Sequence, residues 1–310
     1  MSFQKNKILI IGGPTASGKT EISFKIAKEV NGEIISCDSR QFYKEINIGT
    51  DKPPLWMRNE IPHYFVDFLS LKDEFDVFQY KNLVFQKVRE IISRNKVPII
   101  VGGSGFYIRT LLRGLFYLPP EFKEKQREIR ERLEKETTED LYEKLKNIDP
   151  EIAKKINKND KYRIKRAIEI YEITGRNMSY WQKQKTDGSL KEIGKIFYFI
   201  LFRDREEIYK RIKERIEKMF EKGWIDEVID LKNKSYEKYL RTKAPIGYRE
   251  ILDFLEGKYN FEELKEIIFK RTKDYARKQI IWFKREEGEF INFKDENEVV
   301  NKILESFKND

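Results

Sequence analysis

The residues best suited to chemistry form a glycine-rich loop near the start of the chain. Residues 13–20 follow an apolar run and fit the pattern G-x-x-x-x-G-K-[ST], in which backbone N–H groups surround phosphate oxygens at the positive end of a helix. The loop consists of Gly13, Pro14, Thr15, Ala16, Ser17, Gly18, Lys19 and Thr20. We predict a diphosphate site in which Lys19 adds a positive charge and the Thr20 hydroxyl binds Mg²⁺ or a phosphate oxygen. Whether the diphosphate belongs to ATP, GTP or another metabolite stays open.

A carboxylate, Asp38, is the second candidate. It follows residues 33–36 (Glu-Ile-Ile-Ser), which are predicted to form a strand. Loops at the carboxyl ends of parallel strands face the ligand crevice, so Asp38 should lie near the phosphate loop. From the residues alone, an aspartate in this position is as readily a helix N-cap or a metal ligand as a catalytic base.

Short apolar runs separated by helical patterns must position these groups. Strands are predicted at residues 8–11, 33–36, 97–101 and 196–201, and a helix at residues 19–30. Strands that alternate with helices indicate an α/β fold, with a P-loop NTPase-like parallel sheet flanked by helices.

Residues 119–194 have a different character from the rest of the chain. Charged helical patterns at 121–146 and 160–174, the second followed by Gly175 as a predicted C-cap, occur there without a strand signal. We therefore predict an all-helical insertion domain at 119–194. The P-loop α/β core, with amphipathic C-terminal helices, would comprise residues 1–118 and 195–310.

The amino-acid composition limits which binding partners and which cellular compartment we expect. Of the 310 residues, 37% are charged and the net charge is +10. This excess predicts a polyanionic partner, nucleic acid before an anionic membrane, although Lys- and Glu-rich surfaces are also typical of heat-adapted proteins. A single cysteine, Cys37, excludes an intramolecular disulfide, and with His63 as the only histidine we expect no zinc site. The apolar run 8–11 is too short for a signal peptide or a membrane span, so we expect a soluble, cytoplasmic protein with no membrane partner.

Several segments, taken in chain order, resemble one known family. They are GPTASGKT (13–20), DSRQFYKEINIGTDKP (38–53), VGGSGFYIRTLL (101–112), RIKRAIEIYEITG (163–175), RIKERIEKMFEKG (211–223), IGYRE (246–250) and TKDYARKQIIWFKR (272–285). Together they resemble the tRNA dimethylallyltransferase family, also called tRNA isopentenyltransferases or IPP transferases. The phosphate loop alone is generic, but segments 38–53 and 272–285 are specific, and the resemblance runs from end to end.

The resemblance implies a reaction. A dimethylallyl group would pass from dimethylallyl diphosphate to the exocyclic amine of the adenosine immediately 3′ of the anticodon in a subset of tRNAs. By this analogy Asp38 is the general base, and Thr20, the loop amides and Arg215 hold the diphosphate, with Arg211 as the alternative arginine. The expected partners are the tRNA anticodon stem-loop and dimethylallyl diphosphate, with Mg²⁺ as cofactor, and we expect a monomer.

The same resemblance implies contacts with tRNA. These are Asp38, Ser39, Arg40 and Gln41 at the target nucleotide, Ser104 beside it, and Gln126, Tyr162, Arg163 and Arg166 in the insertion. Arg40, Ser104 and Tyr162 depart from the family pattern, which commonly has Met, Thr and Gln at these positions. Further basic candidates for phosphate contacts lie in the C-terminal helices: Arg271, Lys273, Arg277, Lys278, Lys284 and Arg285.

Two other classes compete with this interpretation. A P-loop kinase for a nucleotide or small metabolite would account for the loop and the sheet, but not for the basic helical insertion or for segment 38–53. An RNA-binding NTPase switch would be expected to carry a metal-binding aspartate after an apolar strand, whereas glycines follow residue 101. Neither the tRNA set nor the preference for dimethylallyl over longer prenyl diphosphates follows from the sequence.

Overall fold

A computed structural model describes residues 6–114, 118, 120–184 and 188–309. The chain forms two compact units: an α/β unit of residues 1–112 and 190–310, and a helical unit of residues 113–189. The predicted insertion begins six residues later (119 against 113) and ends five residues later (194 against 189) than the helical unit.

Within the described residues, one parallel sheet organises the α/β unit. Its strands are β1 (Lys7–Gly12), β2 (Gly32–Ser36), β3 (His63–Tyr64), β4 (Val97–Gly102), β5 (Lys195–Phe202) and β6 (Glu289–Asn292). Their spatial order is β3-β2-β4-β1-β5-β6. All neighbouring pairs are parallel. The α/β fold class and the predicted strands are confirmed, while the short strands β3 and β6 were not predicted.

Helices make up most of the remaining described chain. They are α1 (Lys19–Glu29), α2 (Leu55–Glu60), α3 (Val77–Ser93), α4 (Gly105–Arg113), α5 (Lys123–Glu134), α6 (Thr138–Ile148), α7 (Pro150–Ala153), α8 (Lys161–Thr174), α9 (Met178–Lys183), α10 (Arg205–Glu221), α11 (Trp224–Asn233), α12 (Glu237–Thr242), α13 (Tyr248–Leu255), α14 (Phe261–Phe283) and α15 (Glu296–Lys308). None of them combines the length and apolar character that a bilayer crossing requires.

Helices cover both faces of the sheet, which explains why its central strands are continuous apolar runs. Ile8 and Ile10 of β1 pack in one cluster with residues of α3 and α4. Leu9 and Ile11 point to the opposite face and pack with residues of α1 and α15. Alternate side chains of a strand point to opposite faces, so each strand is anchored on both sides and its carboxyl end is held in place.

The helical unit has its own apolar core, to which α5, α6 and α8 contribute Leu133, Leu141 and Ile164. The predicted helical stretch 121–146 is divided in two, because Thr137 caps α6 by accepting from the amide of Asp140. Helix α8 ends at Gly175, whose φ of 68° is left-handed, as the sequence predicted.

Candidate active site at the carboxyl ends of the strands

The phosphate loop joins β1 to α1, as predicted. Two of its glycines are required by the backbone: Gly13 has φ 147° and Gly18 has φ 91°. An added Cβ on Gly13 would lie 2.6 Å from the Leu201 carbonyl oxygen. The Lys19 Nζ folds back over the loop and donates to the Pro14 carbonyl oxygen at 2.6 Å. The shape of the loop is thus held by its own backbone and by contacts within the chain.

Three of the predicted site residues interact electrostatically in one pocket. Desolvation lowers the pKa of Lys19 to about 8, the Asp38 carboxylate opposes this shift, and the Arg215 guanidinium adds to it. An anion placed among these groups would favour the charged ammonium. The structure therefore brings Lys19, Asp38 and Arg215 together, as the resemblance implied.

The loop that carries Asp38 packs directly against the end of β4. An added Cβ on Gly102 would lie 2.0 Å from the carbonyl oxygen of Cys37, so the two main chains touch. The Ser39 amide donates to Ser104 Oγ at 3.2 Å, and Asp38 Oδ1 accepts from the Arg40 amide at 3.0 Å. Glycine at the last position of β4 is therefore a packing requirement, and an aspartate side chain would not fit there.

Arg40 and Gln41 complete this loop. Gln41 Oε1 accepts from Ser36 Oγ at 3.0 Å, and its Nε2 donates to the Asp51 carbonyl oxygen at 3.2 Å. The Arg40 guanidinium donates to the Lys243 carbonyl oxygen. Both predicted nucleotide contacts are thus already held by neighbouring groups of the α/β unit.

Arg211 and Arg215 lie on the same face of α10 but form hydrogen bonds with different partners. Arg211 Nε donates to the Ala16 carbonyl oxygen at 3.0 Å, so it supports the phosphate loop. Arg215 Nη1 donates to Asp51 Oδ2 at 3.1 Å, and its Nε is buried with no hydrogen-bond partner in the described chain. A buried unsatisfied donor is costly unless a ligand satisfies it. Arg215 is accordingly the better candidate for gripping an anion.

Sequence reasoning missed two residues that fix the loop from outside it. Gln279 of α14 accepts from the Thr15 amide and donates to the Gly103 carbonyl oxygen, both at 2.9 Å. Arg203, just after β5, donates through Nε to the Ser17 carbonyl oxygen at 3.2 Å and stacks on Phe293 at 3.4 Å. Gln279 lies in the family segment 272–285, but no role was assigned to it there, and Arg203 had no sequence signal.

One cavity of about 620 Å³ joins these groups. Its lining includes loop residues 15–20, residues 38–41, Arg215 and Gln279. Thr20 is among the lining residues, in reach of the same space as Asp38. The cavity is large enough for a small diphosphate ester together with a nucleobase.

Cys37 is buried beside the site, and His63 is among the residues that line the cavity. Cys37 is buried, and desolvation raises the pKa of its thiol to about 12, so it is not a thiolate at neutral pH. His63 lies in β3 with its Nδ1 2.7 Å from the Ile61 carbonyl oxygen, and burial lowers its pKa. No cluster of three or more potential metal-binding His, Cys, Asp or Glu side chains occurs in the described part of the chain.

The remaining predicted contacts lie in the helical unit. Gln126 Nε2 donates to Glu169 at 2.9 Å, and Arg166 also contacts this carboxylate, which is only 2% exposed. Arg130, which was not predicted, donates to it at 2.7 Å. Tyr162 is 78% exposed, and the Arg163 Nε lies 3.4 Å from Asp160.

The sheet order, with a glycine loop between β1 and a helix that begins with Lys-Thr, defines a P-loop α/β protein. A sequence model of the IPP transferase family matches residues 41–286. The tRNA dimethylallyltransferase of Thermotoga petrophila is 41% identical over 300 residues, 96% of this chain and 96% of that protein. The protein of the same name from Halothermothrix orenii is 42% identical over 297 residues, 90% of this chain and 85% of that protein.

Solved structures agree with these sequence relatives. The tRNA delta(2)-isopentenylpyrophosphate transferase of Staphylococcus epidermidis is 31% identical with a TM-score of 0.70, covering 99% of this chain and 100% of that chain. A eukaryotic dimethylallyltransferase acting on tRNA is 28% identical with a TM-score of 0.80, covering 98% of this chain and 79% of that one. This chain belongs to the IPP transferase family. The resemblance inferred from its motifs is confirmed, and the family favours prenyl transfer over the kinase alternative.

Proposed function

We propose that this protein transfers a dimethylallyl group from dimethylallyl diphosphate to the exocyclic amine of the adenosine immediately 3′ of the anticodon in a subset of tRNAs. The products are isopentenyladenosine and diphosphate. The relatives named tRNA dimethylallyltransferase support the reaction. The observation that carries the proposal is the placement of Asp38 and Lys19, a carboxylate and a phosphate-loop ammonium, in one cavity where they interact.

The reaction depends mainly on how readily the diphosphate leaves the allylic carbon. An adenine exocyclic amine is a poor nucleophile because its lone pair is delocalised into the ring. The bond between the allylic carbon and oxygen must therefore weaken as negative charge develops on the diphosphate. Loop amides, Lys19 and Arg215 would stabilise that charge; Lys19 contacts the Pro14 carbonyl oxygen and Arg215 contacts Asp51.

The carboxylate would remove one proton. As the amine nitrogen bonds to the allylic carbon, its N–H becomes acidic, and Asp38 would accept the proton while diphosphate keeps the electrons of the broken bond. Asp38 Oδ1 already accepts from the Arg40 amide, which would hold the carboxylate in place. Oδ2 would face the nucleobase.

Magnesium fits this site through few protein ligands. Because no carboxylate-rich cluster occurs in the described chain, Mg²⁺ would be held by the Thr20 hydroxyl, substrate phosphate oxygens and water. The ion would supply further charge neutralisation to the diphosphate. Lys19 and the loop amides would bind and orient the same group.

The RNA would be recognised in two places. A loop base splayed out of its stack would enter the cavity beside Ser39, Arg40, Gln41 and Ser104. Gln126, Tyr162, Arg163 and Arg166 of the helical unit would contact the anticodon stem-loop, chiefly through phosphates that set position. We propose that the protein acts as a monomer in the cytoplasm, where tRNA is matured.

A label-transfer experiment tests the proposal. Purified protein is incubated with unmodified tRNA, Mg²⁺ and dimethylallyl diphosphate labelled in the prenyl group, and label is expected in the RNA at the adenosine 3′ of the anticodon. ATP consumption without transfer would indicate a kinase instead. Nucleotide hydrolysis that merely changes RNA affinity would indicate a switch.

A further inference from the structure

A short turn between β2 and α2, residues 47–51, carries an aspartate that contacts two of the proposed substrate-binding side chains. The carbonyl oxygen of Asp51 accepts from Gln41 Nε2 at 3.2 Å, and its Oδ2 accepts from Arg215 Nη1 at 3.1 Å. Gln41 is a proposed nucleotide contact, and Arg215 is the proposed diphosphate contact. The position of Asp51 therefore bears on both substrates.

Asp51 is not fixed in place by packing of its own side chain. That side chain is 59% exposed, and the backbone of Asp51 is left-handed, with φ 51°. The preceding residues, Ile48–Thr50, form a single 3-10 turn. The position of Asp51 thus depends on how this turn is anchored to the rest of the α/β unit.

One carboxylate anchors the start of the turn. Glu227 Oε2, on α11, accepts from the amides of Asn47 and Ile48 at 3.0 and 3.1 Å. Glu227 Oε1 accepts from the Tyr248 hydroxyl at 2.5 Å, and the oxygen of this hydroxyl accepts from the Gly49 amide at 3.1 Å. Glu227 and Tyr248 together therefore bind three successive amides of the turn.

Two aromatic rings press on the turn at the same place. Trp224, three residues before Glu227 on α11, is 1% exposed, and Tyr248 is fully buried. An added Cβ on Gly49 would lie 2.5 Å from each of these rings, and one on Gly247 would lie 2.0 Å from Trp224. The turn is thus held both by hydrogen bonds to Glu227 and Tyr248 and by close contact with buried rings.

We propose that Glu227 is a positioning residue that, through the turn 47–51, places Arg215 for the diphosphate and Gln41 for the nucleotide. Glu227 is not among the described residues that line the cavity, whereas Gln41, Asp51 and Arg215 are. The inference rests on the proposed function, which assigns the two ligands to these side chains. Small displacements of positioned groups slow a reaction strongly, so anchoring one turn would serve both substrates at once.

The glutamine substitution is the sharpest perturbation of this anchor. Glu227→Gln keeps the size of the side chain but leaves it one acceptor oxygen instead of two. Since the two amides and the Tyr248 hydroxyl use both carboxylate oxygens, one of these donors loses its acceptor. The matched control is Asp226→Asn, which removes the same charge from the first turn of α11 at an exposed position.

Two binding measurements on the full-length protein with Mg²⁺ report on the two substrates separately. Calorimetry gives the dissociation constant of inorganic diphosphate. An anticodon stem-loop with 2-aminopurine in place of the target adenosine gives a fluorescence increase when that base leaves its stack. In Glu227→Gln we expect the dissociation constant to rise about fivefold and the fluorescence increase to fall about twofold, effects typical of coupled neighbours. Asp226→Asn should match the wild type in both.

A double variant distinguishes positioning from a general loss of stability. In an Arg215→Ala background, Glu227→Gln should no longer weaken diphosphate binding, because that effect passes through Arg215. The fluorescence increase should still fall, because that effect passes through Gln41. Equal weakening of diphosphate binding in both backgrounds would overturn the proposal, as would wild-type binding of both ligands by Glu227→Gln.

A second variant keeps the test decisive if Glu227→Gln melts below the assay temperature. Tyr248→Phe leaves the Gly49 amide without its acceptor, so smaller effects in the same directions are expected. Wild-type values for this variant would then overturn the proposal. Failure of the proposed function appears elsewhere, as absence of prenyl transfer by the wild-type protein, because both binding measurements are made without transfer.

Discussion

In the α/β unit Asp38 and the phosphate loop are held by contacts that involve the main chain, whereas in the helical unit two of the candidate RNA-binding groups are held by a single carboxylate. Asp38 is placed by the contact between Cys37 and Gly102, and the phosphate loop by hydrogen bonds to its carbonyl and amide groups. Gln126 and Arg166 instead share the carboxylate of Glu169.

This contrast indicates which substitutions each unit can tolerate. A main-chain contact leaves no room for an added atom, so small changes at the strand ends should affect both folding and catalysis. Exposed side chains such as Tyr162 and Arg163 can change without disturbing a core. The chemistry should therefore respond sharply to mutation, and RNA binding gradually.

The largest expected effect is that of Asp38→Ala. Loss of the general base should reduce turnover by about 100-fold or more. Affinity for tRNA, measured by filter binding, should stay nearly the same, because the helical unit is untouched. If tRNA binding is lost instead, Asp38 belongs to recognition and the contrast between the units fails at its central residue.

Gly102→Ala tests the main-chain contact itself. Because the new methyl group would meet Cys37 at 2.0 Å, we expect the free energy of unfolding to fall by about 3 kcal/mol, with loss of transfer activity. The matched control is Gly175→Ala in the helical unit, where no atom lies within 4 Å and only the left-handed backbone opposes the change. Its cost should be about 1 kcal/mol by denaturant titration. If the two substitutions lower the free energy of unfolding equally, the main-chain contact at Gly102 has no special importance.

The pH dependence of donor binding should reveal Lys19. Its pKa of about 8 means that the ammonium loses its proton above that pH in the free protein, while a bound diphosphate favours the charged form. The KM for dimethylallyl diphosphate should therefore rise about tenfold between pH 7 and pH 9. The KM for tRNA, measured in the same assays, serves as the internal control.

The same shift has a consequence for stability. Between about pH 8 and the ordinary lysine value of 10.5, the unfolded chain binds a proton that the folded chain does not. The contribution of Lys19 to the free energy of unfolding should therefore increase with pH across this window, as seen by denaturant titration. No change across this window would show that Lys19 keeps its proton in the folded protein.

The smallest expected effect is that of Arg163→Ala. Because Arg163 is exposed and weakly paired, removing it should raise the KM for tRNA about threefold and lower the salt slope of tRNA binding by about 1, with no change in stability. Arg166→Ala should affect tRNA similarly but also destabilise the helical unit, since Glu169 would lose a partner. If the two variants have the same melting temperature, the contact between Arg166 and Glu169 does not stabilise the helical unit.

The sequence alone was sufficient to predict the strands whose residues are buried on both faces of the sheet. β1, β4 and β5 are largely apolar runs and β2 contains Ile34 and Ile35, and all four occur at the predicted positions. β3 has only two residues, and β6 exposes most of its side chains. Neither edge strand carries enough apolar residues to produce a recognisable pattern.

The candidate site was predictable where its residues lie next to one another in the chain. The phosphate loop and residues 38–41 could be identified because each belongs to one continuous motif. Arg203 and Gln279 reach the loop from positions 186 and 264 residues away. Their roles depend on how β5 and α14 pack, and no local spacing records that.

The bond from Gln279 also bears on the order in which the protein is made. Synthesis begins with the glycine-rich turn, but the amide group that joins Thr15 to Gly103 is added only when most of the chain has been translated. A nascent chain that stops before α14 would therefore have a glycine-rich turn that lacks the hydrogen bonds of Gln279. Diphosphate binding should accordingly appear late in synthesis, as one of the last properties that the growing polypeptide acquires.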